Sequence, residues 1–482
     1  MNPQVRKTVE QTPLVVDLDG TLVHSDTLYE SAFRLIRHHP WNVFRLIWWL
    51  LAGRARLKAE IAARVATPPD LLPWNRDLVA FLRTERALGR QIVLATASHE
   101  SVARAVSNHV GCFDAVIGST ESRNLKGRAK RDELVRRFGV RGFDYVGDSR
   151  SDIAVWAASR VAHPAGTMRH VPPAALAEGA IPGVGFPAPR PSLRHVLREL
   201  RTHQWIKNIL VFAPAALNHH ISWAIATKLG AAFVAFSLTA SGAYVFNDLF
   251  DLDADRRHPR KRHRPLAAAT ISIPVGVALA CLASAGGLGI GITLGPSFEI
   301  WLLIYAAMTV GYSVFLKNKP VVDVVALAIL YTIRIYAGGA AVSVWISPWL
   351  VQFSIFLFLS LAFVKRYSEL KKLEESDRRE ELARGYRPAD MPLIGQSGTA
   401  SGYIAALVLV LYVNGKEMEH LYPRPELLWG VCPVFVYWIT RVWLVTYRGN
   451  MNEDPILFAV GDRVSYFAGL IIVLFIAGAL TR

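Results

Sequence analysis

Cysteine and acidic residues are scarce in this 482-residue sequence, and no apolar segment opens it. The three cysteines, Cys112, Cys281 and Cys432, lie far apart, so neither a disulfide framework nor a cysteine metal site is predicted. The N-terminal stretch MNPQVRKTVEQTP contains no apolar run, and we therefore expect no cleavable signal peptide. Acidic residues number 38 against 54 Lys and Arg, which gives a formal net charge of +16. Because many of these cations lie in short loops between apolar runs, we expect a membrane protein with anionic substrates and no nucleic-acid partner.

Apolar residues make up 52% of the sequence but are unevenly distributed. The chain before about Ser192 has a mixed composition, whereas long apolar runs dominate the rest. The length also suggests more than one domain. We predict a soluble α/β domain over 1–165, a linker rich in Pro, Gly and Ala over 166–200 with little structure of its own, and an all-helical membrane domain over 201–482.

A pair of carboxylates follows the first apolar run of the chain. Leu14-Val15-Val16 is typical of a buried strand, and Asp17-Leu18-Asp19-Gly20-Thr21 comes directly after it. Open α/β sheets bind ligands at this end of their strands. Two carboxylates two residues apart suit phosphoryl transfer, because one can attack phosphorus while the other exchanges the proton with the leaving oxygen and then with water.

Three later segments fit the same chemistry. The predicted strand 91–95 ends at Thr96, whose hydroxyl can bind a phosphate oxygen. The predicted strand 143–146 precedes Asp148 and Asp152, which are four residues apart and could hold Mg²⁺ beside Asp17. Lys126 and Lys130 open a predicted helix, and either could neutralise the phosphate.

These four motifs, in this order, resemble the haloacid dehalogenase superfamily of phosphatases over about residues 12–165. The resemblance implies a Rossmann-like domain with Asp17 as nucleophile, Asp19 as acid and base, Thr96 and a lysine on the phosphate, and Mg²⁺ at Asp17, Asp148 and Asp152. We prefer Lys130 to Lys126 because of its distance from the strand that precedes Asp148. The alternative is a phosphatase fold that has lost its activity.

The insert between about residues 26 and 89 has a helical pattern and resembles the small helical cap of this superfamily. Its part Trp41–Lys58 is too short and too basic at its end to span a bilayer. Its tryptophans, leucines and arginines suit a helix at the membrane interface, and they suit equally a cap helix packed on the phosphatase core.

Nine apolar segments in the second half are long enough to suggest membrane spans, although the first is short for a full crossing. They lie near 206–217, 227–248, 272–293, 298–316, 321–342, 348–364, 400–415, 426–446 and 463–481. With the N-terminus in the cytosol, most Lys and Arg residues of the loops fall on the cytosolic side. We therefore expect an inner (plasma) membrane protein of bacterial type, with the phosphatase-like domain in the cytosol.

The second predicted span ends in an acidic stretch, Asn247-Asp248-Leu249-Phe250-Asp251-Leu252-Asp253-Ala254-Asp255. On a helix, Asn247, Asp248, Asp251 and Asp255 would share one face, and Asp253 would point elsewhere. Carboxylates at the mouth of a membrane helix repel one another unless a cation lies between them, and such oxygen ligands suit Mg²⁺ that also holds a substrate phosphate. The sequence therefore predicts a second Mg²⁺ site here, on the cytosolic side.

Further polar residues collect at the same predicted side of the membrane, where they could bind phosphate groups. The candidates are Lys207, Asn208, Arg262, Arg264, Tyr312, Lys317, Asp323, Arg334, Lys365, Arg366 and Glu369. Arg334 lies within a span and needs an anion, either from the neighbourhood of Asp323 or from a substrate. Taken singly, each of these residues could be an ordinary charge at a helix end.

The acidic stretch and these segments resemble the UbiA superfamily of intramembrane prenyltransferases over about residues 200–482, and within it the decaprenyl-phosphate phosphoribosyltransferase branch. Two departures from the superfamily stand out. The loop that carries a second aspartate-rich motif in aromatic prenyltransferases offers only Asp377 and Glu381 here. Tyr312 and Lys317 are five residues apart, whereas other branches space this pair by four.

The resemblance implies an enzyme of cell-wall biosynthesis that transfers 5-phosphoribosyl from phosphoribosyl pyrophosphate to a polyprenyl phosphate, with Mg²⁺ in both domains. The fused phosphatase would then remove the 5-phosphate of the product. One alternative is an aromatic prenyltransferase that uses polyprenyl diphosphate and a 4-hydroxybenzoate or quinone precursor. The other is a transport or non-enzymatic role for the membrane half.

Overall fold

The computed structural model of the chain describes residues 12–121, 123–218, 222–374, 385–415, 418, 421–451 and 454–481. The chain divides into two compact units. The first comprises the residues up to Leu200 together with Tyr244–Ala280, and the second comprises Arg201–Ala243 together with the residues from Cys281 onward.

A seven-stranded parallel sheet is the centre of the first unit. Its strands are β1 (Leu14–Val16), β2 (Ile92–His99), β3 (Ala115–Ser119), β4 (Asp144–Gly147), β5 (Val161–Gly166), β6 (Ile181–Pro182) and β7 (Phe186–Pro187). The strand order is β3-β2-β1-β4-β5-β6, and β7 also pairs with β5. The central strand β1 is wholly buried, as a parallel sheet covered on both faces requires, and Leu14 pairs with Ile92 on one side and with Asp144 on the other. The predicted α/β fold is confirmed, and Asp17 lies at the carboxyl edge of β1.

Helices cover both faces of this sheet. Those before residue 200 are α1 (Thr27–His38), α2 (Asn42–Leu51), α3 (Arg54–Ala62), α4 (Arg76–Ala87), α5 (Glu100–Val110), α6 (Arg128–Phe138), α7 (Ile153–Ala158), α8 (Pro173–Ala177) and α9 (Leu193–Glu199). On one face, Leu78 of α4 and Val106 of α5 pack on the strands. On the other face, Leu134 of α6 and Trp156 of α7 do so.

The first three helices form a small cap with a hydrophobic core of its own. That core consists of Leu35, Trp49, Leu57, Ile61 and Val65. In contrast, α4 belongs to the core of the sheet, so the cap's own core ends well before residue 89.

Segment 166–200 is more structured than the predicted linker. Phe186 packs into the core of the sheet, and the Asn75 side-chain amide donates a hydrogen bond to its carbonyl at 3.2 Å. The strands β6 and β7 extend the sheet. Because each has only two residues, no alternating pattern in the sequence indicates them.

The chain after residue 200 is almost entirely helical. Its helices are α10 (Ala213–Leu217), α11 (Trp223–Phe250), α12 (Leu252–Arg257), α13 (Ile273–Thr293), α14 (Pro296–Gly311), α15 (Val322–Val342), α16 (Pro348–Glu374), α17 (Met391–Val413), α18 (Val431–Tyr447), α19 (Pro455–Gly461) and α20 (Arg463–Leu480). In this part of the chain, 3₁₀ segments cover Thr202–Phe212, Lys261–His263, Pro388–Asp390 and Pro425–Gly430, and Tyr312–Leu316 is a π turn. Two more 3₁₀ turns, Pro69–Leu71 and Arg150–Asp152, lie before residue 200.

Among the described residues, eight helical segments are long and apolar enough to cross a membrane. This confirms the predicted all-α polytopic domain and shows a multi-pass membrane protein. The first predicted span, 206–217, instead consists of part of the 3₁₀ helix Thr202–Phe212 and the short α10. A stretch of that length cannot cross the hydrocarbon core as an α-helix.

Close helix packing builds the core of the second unit, where side chains of α15, α16, α17 and α18 meet. A side chain at Gly398 of α17 would overlap the indole of Trp443 on α18. Such contact between helices is typical of membrane proteins, in which small residues allow close approach.

Candidate active sites

The carboxyl edge of the sheet carries a buried nucleophile and its lysine. Asp17 follows β1, and its Oδ2 lies 2.8 Å from Nζ of Lys130 on α6. The Leu18 amide donates to the other oxygen of Asp17 at 2.8 Å. Lys130 is almost fully buried, whereas Lys126 is exposed. The geometry therefore favours Lys130, the residue that we preferred from the sequence.

Three carboxylates at this edge are close enough to share a cation. One ligand atom from each of Asp17, Asp148 and Asp152 lies within 4.8 Å of the others. Burial and the neighbouring carboxylates raise the pKa of Asp148 to about 8. A side chain at Gly20, which has a φ of +74°, would overlap the Asp148 carboxylate, so only glycine fits there. This arrangement fits Mg²⁺, because hard oxygen donors whose mutual repulsion needs a cation converge on one place.

Both oxygens of Asp152 accept hydrogen bonds from hydroxyl groups. The Tyr145 hydroxyl donates to Oδ1 at 2.8 Å, and the Ser149 hydroxyl donates to Oδ2 at 2.8 Å. Lys130 Nζ lies 3.7 Å from Oδ1. Asp152 is therefore held rigidly and orients the lysine and the cluster.

The second carboxylate of the motif, Asp19, is set up for proton transfer. Its Oδ1 accepts a hydrogen bond from the Thr27 amide at 2.7 Å, and its Oδ2 accepts one from the Ser98 hydroxyl at 2.5 Å. Burial and the nearby charge of Asp26 raise the pKa of Asp19 to about 6. A pKa near neutrality suits a group that donates and then accepts a proton.

Two residues of this site, Ser98 and Lys58, were not predicted from the sequence. Thr96 is buried and accepts a hydrogen bond from the Ser98 amide at 2.9 Å, and the Ser98 hydroxyl in turn contacts Asp19. Lys58, from the cap, donates to the Ala97 carbonyl at 2.6 Å and is influenced by the charges of Asp19 and Asp26. Burial lowers the pKa of Lys58 despite these acids. No local motif marks Lys58, since it reaches the site from a separate helix.

The acidic stretch after the second predicted span is not one continuous helix, contrary to our expectation. α11 ends at Phe250, Asp251 lies in the turn, and α12 begins at Leu252. Asp251 thus lies at an interruption of the helix, whereas Asp248 and Asp255 still lie close enough to share one partner. Within the described part of the chain, the one acidic group with metal-holding distances is that of Asp17 in the phosphatase fold.

Arginine side chains neutralise the acidic stretch. Nη1 of Arg264 lies 2.9 Å from Asp248 Oδ1 and 2.6 Å from Asp255 Oδ2. Asp251 lies 3.8 Å from Arg37 of the cap. A guanidinium thus joins two of the predicted Mg²⁺ ligands, and the third faces another arginine. Mg²⁺ at this stretch stays a prediction. Asn247 lies in the last turn of α11, and Arg262 is exposed.

Asp253, which we expected to point elsewhere, joins the stretch to the cap within the same unit. Arg34 of α1 donates from Nε and Nη2 to the two oxygens of Asp253, both at 2.7 Å. One turn earlier on α1, Glu30 accepts hydrogen bonds from Arg256 at 2.7 and 2.9 Å. We call these two ion pairs the α1–α12 clamp.

In the second unit, Arg334 is buried among neutral partners. It donates to Asn208 Oδ1 at 2.7 Å, to the Tyr305 hydroxyl at 3.1 Å and to the Leu330 carbonyl. Its guanidinium also lies 4.8 and 5.2 Å from the ring centres of Tyr305 and Tyr331. Asp323 pairs with Arg366 instead, so of the two sources of an anion that we considered for Arg334, the neighbourhood of Asp323 is excluded.

Two further clusters collect the remaining predicted residues. Lys207 forms an ion pair with Asp454, and the charges of Lys207 and Lys365 lower the pKa of Asp454 against the effect of its burial. Asp323 is fully buried and accepts hydrogen bonds from Arg366 and, at 2.7 Å, from the Tyr386 hydroxyl. In the same cluster, Arg366 also donates to the Tyr312 hydroxyl at 3.0 Å and to the Glu369 carboxylate at 2.5 Å.

The unusual spacing of Tyr312 and Lys317 has a structural explanation. Tyr312–Leu316 is a π turn, and the Lys317 amide donates to the Tyr312 carbonyl at 2.9 Å. A π turn contains one more residue than an α turn, so a spacing of five occupies one turn. The other departure, at Asp377 and Glu381, lies outside the described residues.

Comparisons with known proteins match two parts of the chain to two different families. Residues 14–156 match the family of haloacid dehalogenase-like hydrolases, and residues 208–470 match the UbiA prenyltransferase family. An uncharacterized protein, y4nM, of Sinorhizobium fredii is 36% identical over 95% of this chain and 89% of its own length. The decaprenyl-phosphate phosphoribosyltransferase of Mycobacterium tuberculosis is 35% identical over 38% of this chain and 62% of its own length.

Among solved structures, a UbiA homolog from Archaeoglobus fulgidus bound to GPP and Mg²⁺ aligns with 59% of this chain and 97% of its own, at 18% identity and a TM-score of 0.45. The two family matches identify both parts of the chain as enzymatic, and the transferase part as one that acts at a membrane on a lipid substrate. The chain is a member of the UbiA prenyltransferase family that also carries a haloacid dehalogenase-like hydrolase domain.

Proposed function

We propose that this enzyme makes a polyprenyl-phosphoryl-ribose in two steps. The membrane domain transfers 5-phosphoribosyl from phosphoribosyl pyrophosphate to a polyprenyl phosphate, and the hydrolase domain removes the 5-phosphate. The observation that carries the proposal is the intact phosphatase site, with Lys130 on Asp17 and Ser98 on Asp19, fused to a transferase similar to decaprenyl-phosphate phosphoribosyltransferase. A transferase that releases a phosphomonoester would supply the substrate that this site is built to hydrolyse.

In the first step, the bond between the anomeric carbon of ribose and the pyrophosphate oxygen breaks, and an oxygen of the lipid phosphate bonds to that carbon. The acceptor is already an anion, so no strong general base is required. Charge on the phosphates would be balanced by cationic side chains, of which Arg334 is the best placed because its partners are neutral. A membrane cavity would also keep water from the cationic transition state.

Arg264 is a further candidate for binding pyrophosphate. In the absence of substrate it bonds Asp248 and Asp255, and an incoming phosphate would compete for the same guanidinium. A divalent ion that bound both carboxylates would have to displace this arginine. We therefore assign the neutralisation of pyrophosphate to the basic loop at Arg262 and Arg264 and derive no step through a metal at this site.

In the second step, Asp17 attacks the phosphorus of the 5-phosphate and forms an aspartyl phosphate, while Asp19 protonates the departing ribose oxygen. Asp19 then takes a proton from water, which hydrolyses the aspartyl phosphate and releases inorganic phosphate. Lys130 holds Asp17 in position and balances negative charge on the phosphate. Mg²⁺ held by Asp17 and Asp148 would supply additional positive charge for the phosphoryl oxygens.

We further propose that both reactions occur on the cytosolic side of a bacterial plasma membrane, where phosphoribosyl pyrophosphate would be available. The basic loops next to the membrane spans support this orientation. Because the hydrolase domain and the transferase domain belong to one chain, the phosphorylated intermediate would form close to the hydrolase that acts on it.

Mass analysis of lipid products tests the proposal. Purified protein is incubated with labelled phosphoribosyl pyrophosphate, polyprenyl phosphate and Mg²⁺. The wild type should yield lipid-linked ribose with pyrophosphate and phosphate, and Asp17→Asn should accumulate the lipid-linked ribose 5-phosphate. If Asp17→Asn leaves the product unchanged, the second step is wrong. If only polyprenyl diphosphate with an aromatic acceptor releases pyrophosphate, the first step is wrong.

A further inference from the structure

The cap helix α2 presents an apolar face that no described residue of its unit covers. Trp41, Phe44, Ile47, Trp48 and Leu51 form this α2 face, and Trp41, Trp48 and Leu51 are 79, 69 and 80% exposed. Their spacing of three and four residues gathers them along one side of the helix. This side of α2 does not pack against the described part of the phosphatase core.

The exposure does not result from a helix that has come away from the cap. On its opposite side α2 buries Trp49 in the cap core, and the guanidinium of Arg64 lies 4.7 Å from the centre of the Trp49 ring. The Asn42 side-chain amide donates to the Leu35 carbonyl at 3.1 Å and is itself buried. Trp49 and Asn42 thus fix α2 to the rest of the cap, and its apolar face remains exposed.

The charges around the α2 face are mainly positive. No acidic residue occurs between Glu30 and Glu60, and Arg45 and Arg54 are exposed beside or just beyond the helix. Arg56 is exposed as well, and its guanidinium lies 3.7 Å from Glu60. An apolar stripe with tryptophans at its edge and arginines around it is complementary to a membrane surface that contains anionic lipid. Another protein surface would have to be both apolar and acidic to match it as well.

The clamp keeps the cap close to a membrane-spanning helix. Arg34 of α1 binds Asp253, which lies only three residues beyond the end of α11. Only three residues, 39–41, separate α1 from α2, so the ion pair also keeps α2 near the end of α11. The cap therefore lies near the end of a membrane-length helix.

We propose that α2 lies in the lipid interface, with its apolar face inserted between headgroups and its arginines on anionic phosphates. The cap then rests on the bilayer and brings the phosphatase site to substrates that are carried by lipid. This inference concerns the membrane contact alone and does not depend on the identity of the phosphorylated substrate.

Fluorescence quenching by brominated lipid tests the insertion in the full-length protein. Cys281 and Cys432 are replaced by alanine, and buried Cys112 is kept. Trp48→Cys and, independently, Phe44→Cys receive a small fluorescent label, and the protein is placed as single copies in lipid nanodiscs. Val140→Cys is the matched control, because Val140 is an apolar residue of the same domain with 66% exposure outside the α2 face.

At the insertion depth of about 5–10 Å that interfacial helices reach, labels at 44 and 48 should lose about half of their fluorescence when the acyl chains are brominated. The label at 140 should lose little. Replacing anionic by neutral lipid should weaken the quenching at 44 and 48, because headgroup charge contributes to insertion. Equal quenching at all three positions would overturn the proposal, as would labels at 44 and 48 that are shielded from water but not quenched, since a protein would then cover the face.

Discussion

The α1–α12 clamp should contribute measurably to the stability of the phosphatase fold, and Asp253→Ala is the perturbation that tests this. Arg34 is 7% exposed and Asp253 is 23% exposed, so removing the carboxylate leaves a nearly buried guanidinium with only Glu30 at 3.4 Å. Breaking a fully buried pair costs about 3–5 kcal/mol, and the partial exposure of Asp253 reduces our expectation to about 2 kcal/mol.

The reactivity of Cys112 provides the assay. This thiol is buried in the phosphatase core and becomes accessible to a reagent only when the fold opens. With Cys281 and Cys432 replaced by alanine, the rate of Cys112 modification reports the free energy of opening. A loss of about 2 kcal/mol corresponds to modification about 30 times faster. Arg34→Ala should give a similar change, and the double variant little more, with a coupling energy of about 1–2 kcal/mol.

The matched control is Arg104→Ala. Arg104 also pairs with a glutamate of its own helix, but it is 67% exposed, and its loss should change the rate less than about twofold. If Asp253→Ala behaves like this control, water screens the pair and the clamp does not hold the fold. Burial raises the pKa of Asp253, but hydrogen bonds from Arg34 bring the net pKa below its usual value of 3.8. The stabilisation should therefore be present above about pH 4 and be lost at more acidic pH, as the carboxylate is protonated.

Three other predictions concern the two candidate sites. Without Mg²⁺, the pKa of Asp148 is raised to about 8, so the folded protein binds more protons than the unfolded chain between pH 5 and pH 8. The melting temperature should therefore fall from pH 5 to pH 8. Asp148→Asn or saturating Mg²⁺ should flatten this dependence. Lys58→Ala should raise the phosphatase KM about tenfold, with a smaller effect on kcat, because it removes a cation near Asp19; an unchanged KM would exclude contact with the substrate. Arg334→Lys keeps the charge but loses the planar set of donors to Asn208 and Tyr305, so transferase activity should fall about 100-fold, while hydrolysis of a soluble phosphomonoester should not change.

The sequence predicts the phosphatase site well because its geometry follows from local order. Asp17 and Asp148 each come directly after a buried strand, and parallel strands bring such positions to one edge. Ser98 and Lys58 could not be found in this way. Ser98 lies within a strand that continues past the predicted end at Ala95, and Lys58 depends on how the cap folds over the sheet.

For the acidic stretch, in contrast, the sequence pattern did not predict the contacts of the side chains. A helical pattern assumes that the helix continues, but α11 ends at Phe250. Asp251 and Asp253 then pair with arginines of the cap, which lie far away in the sequence. The eight membrane-length helices were predictable from apolar runs alone, whereas their partners were not. The pairing of Asp323 with Arg366 across 43 residues is decided by packing.

The π turn at Tyr312–Leu316 has a consequence for sequence alignment within this family. In a regular α-helix, one added residue would rotate the rest of that helix by about 100° relative to the positions before it. The wider turn absorbs the added residue locally, so the positions before and after it keep their orientation. Alignments of transferases across this segment should therefore admit a single-residue gap between Gly311 and Lys317, and forcing them without a gap would assign the wrong residues to every position beyond it.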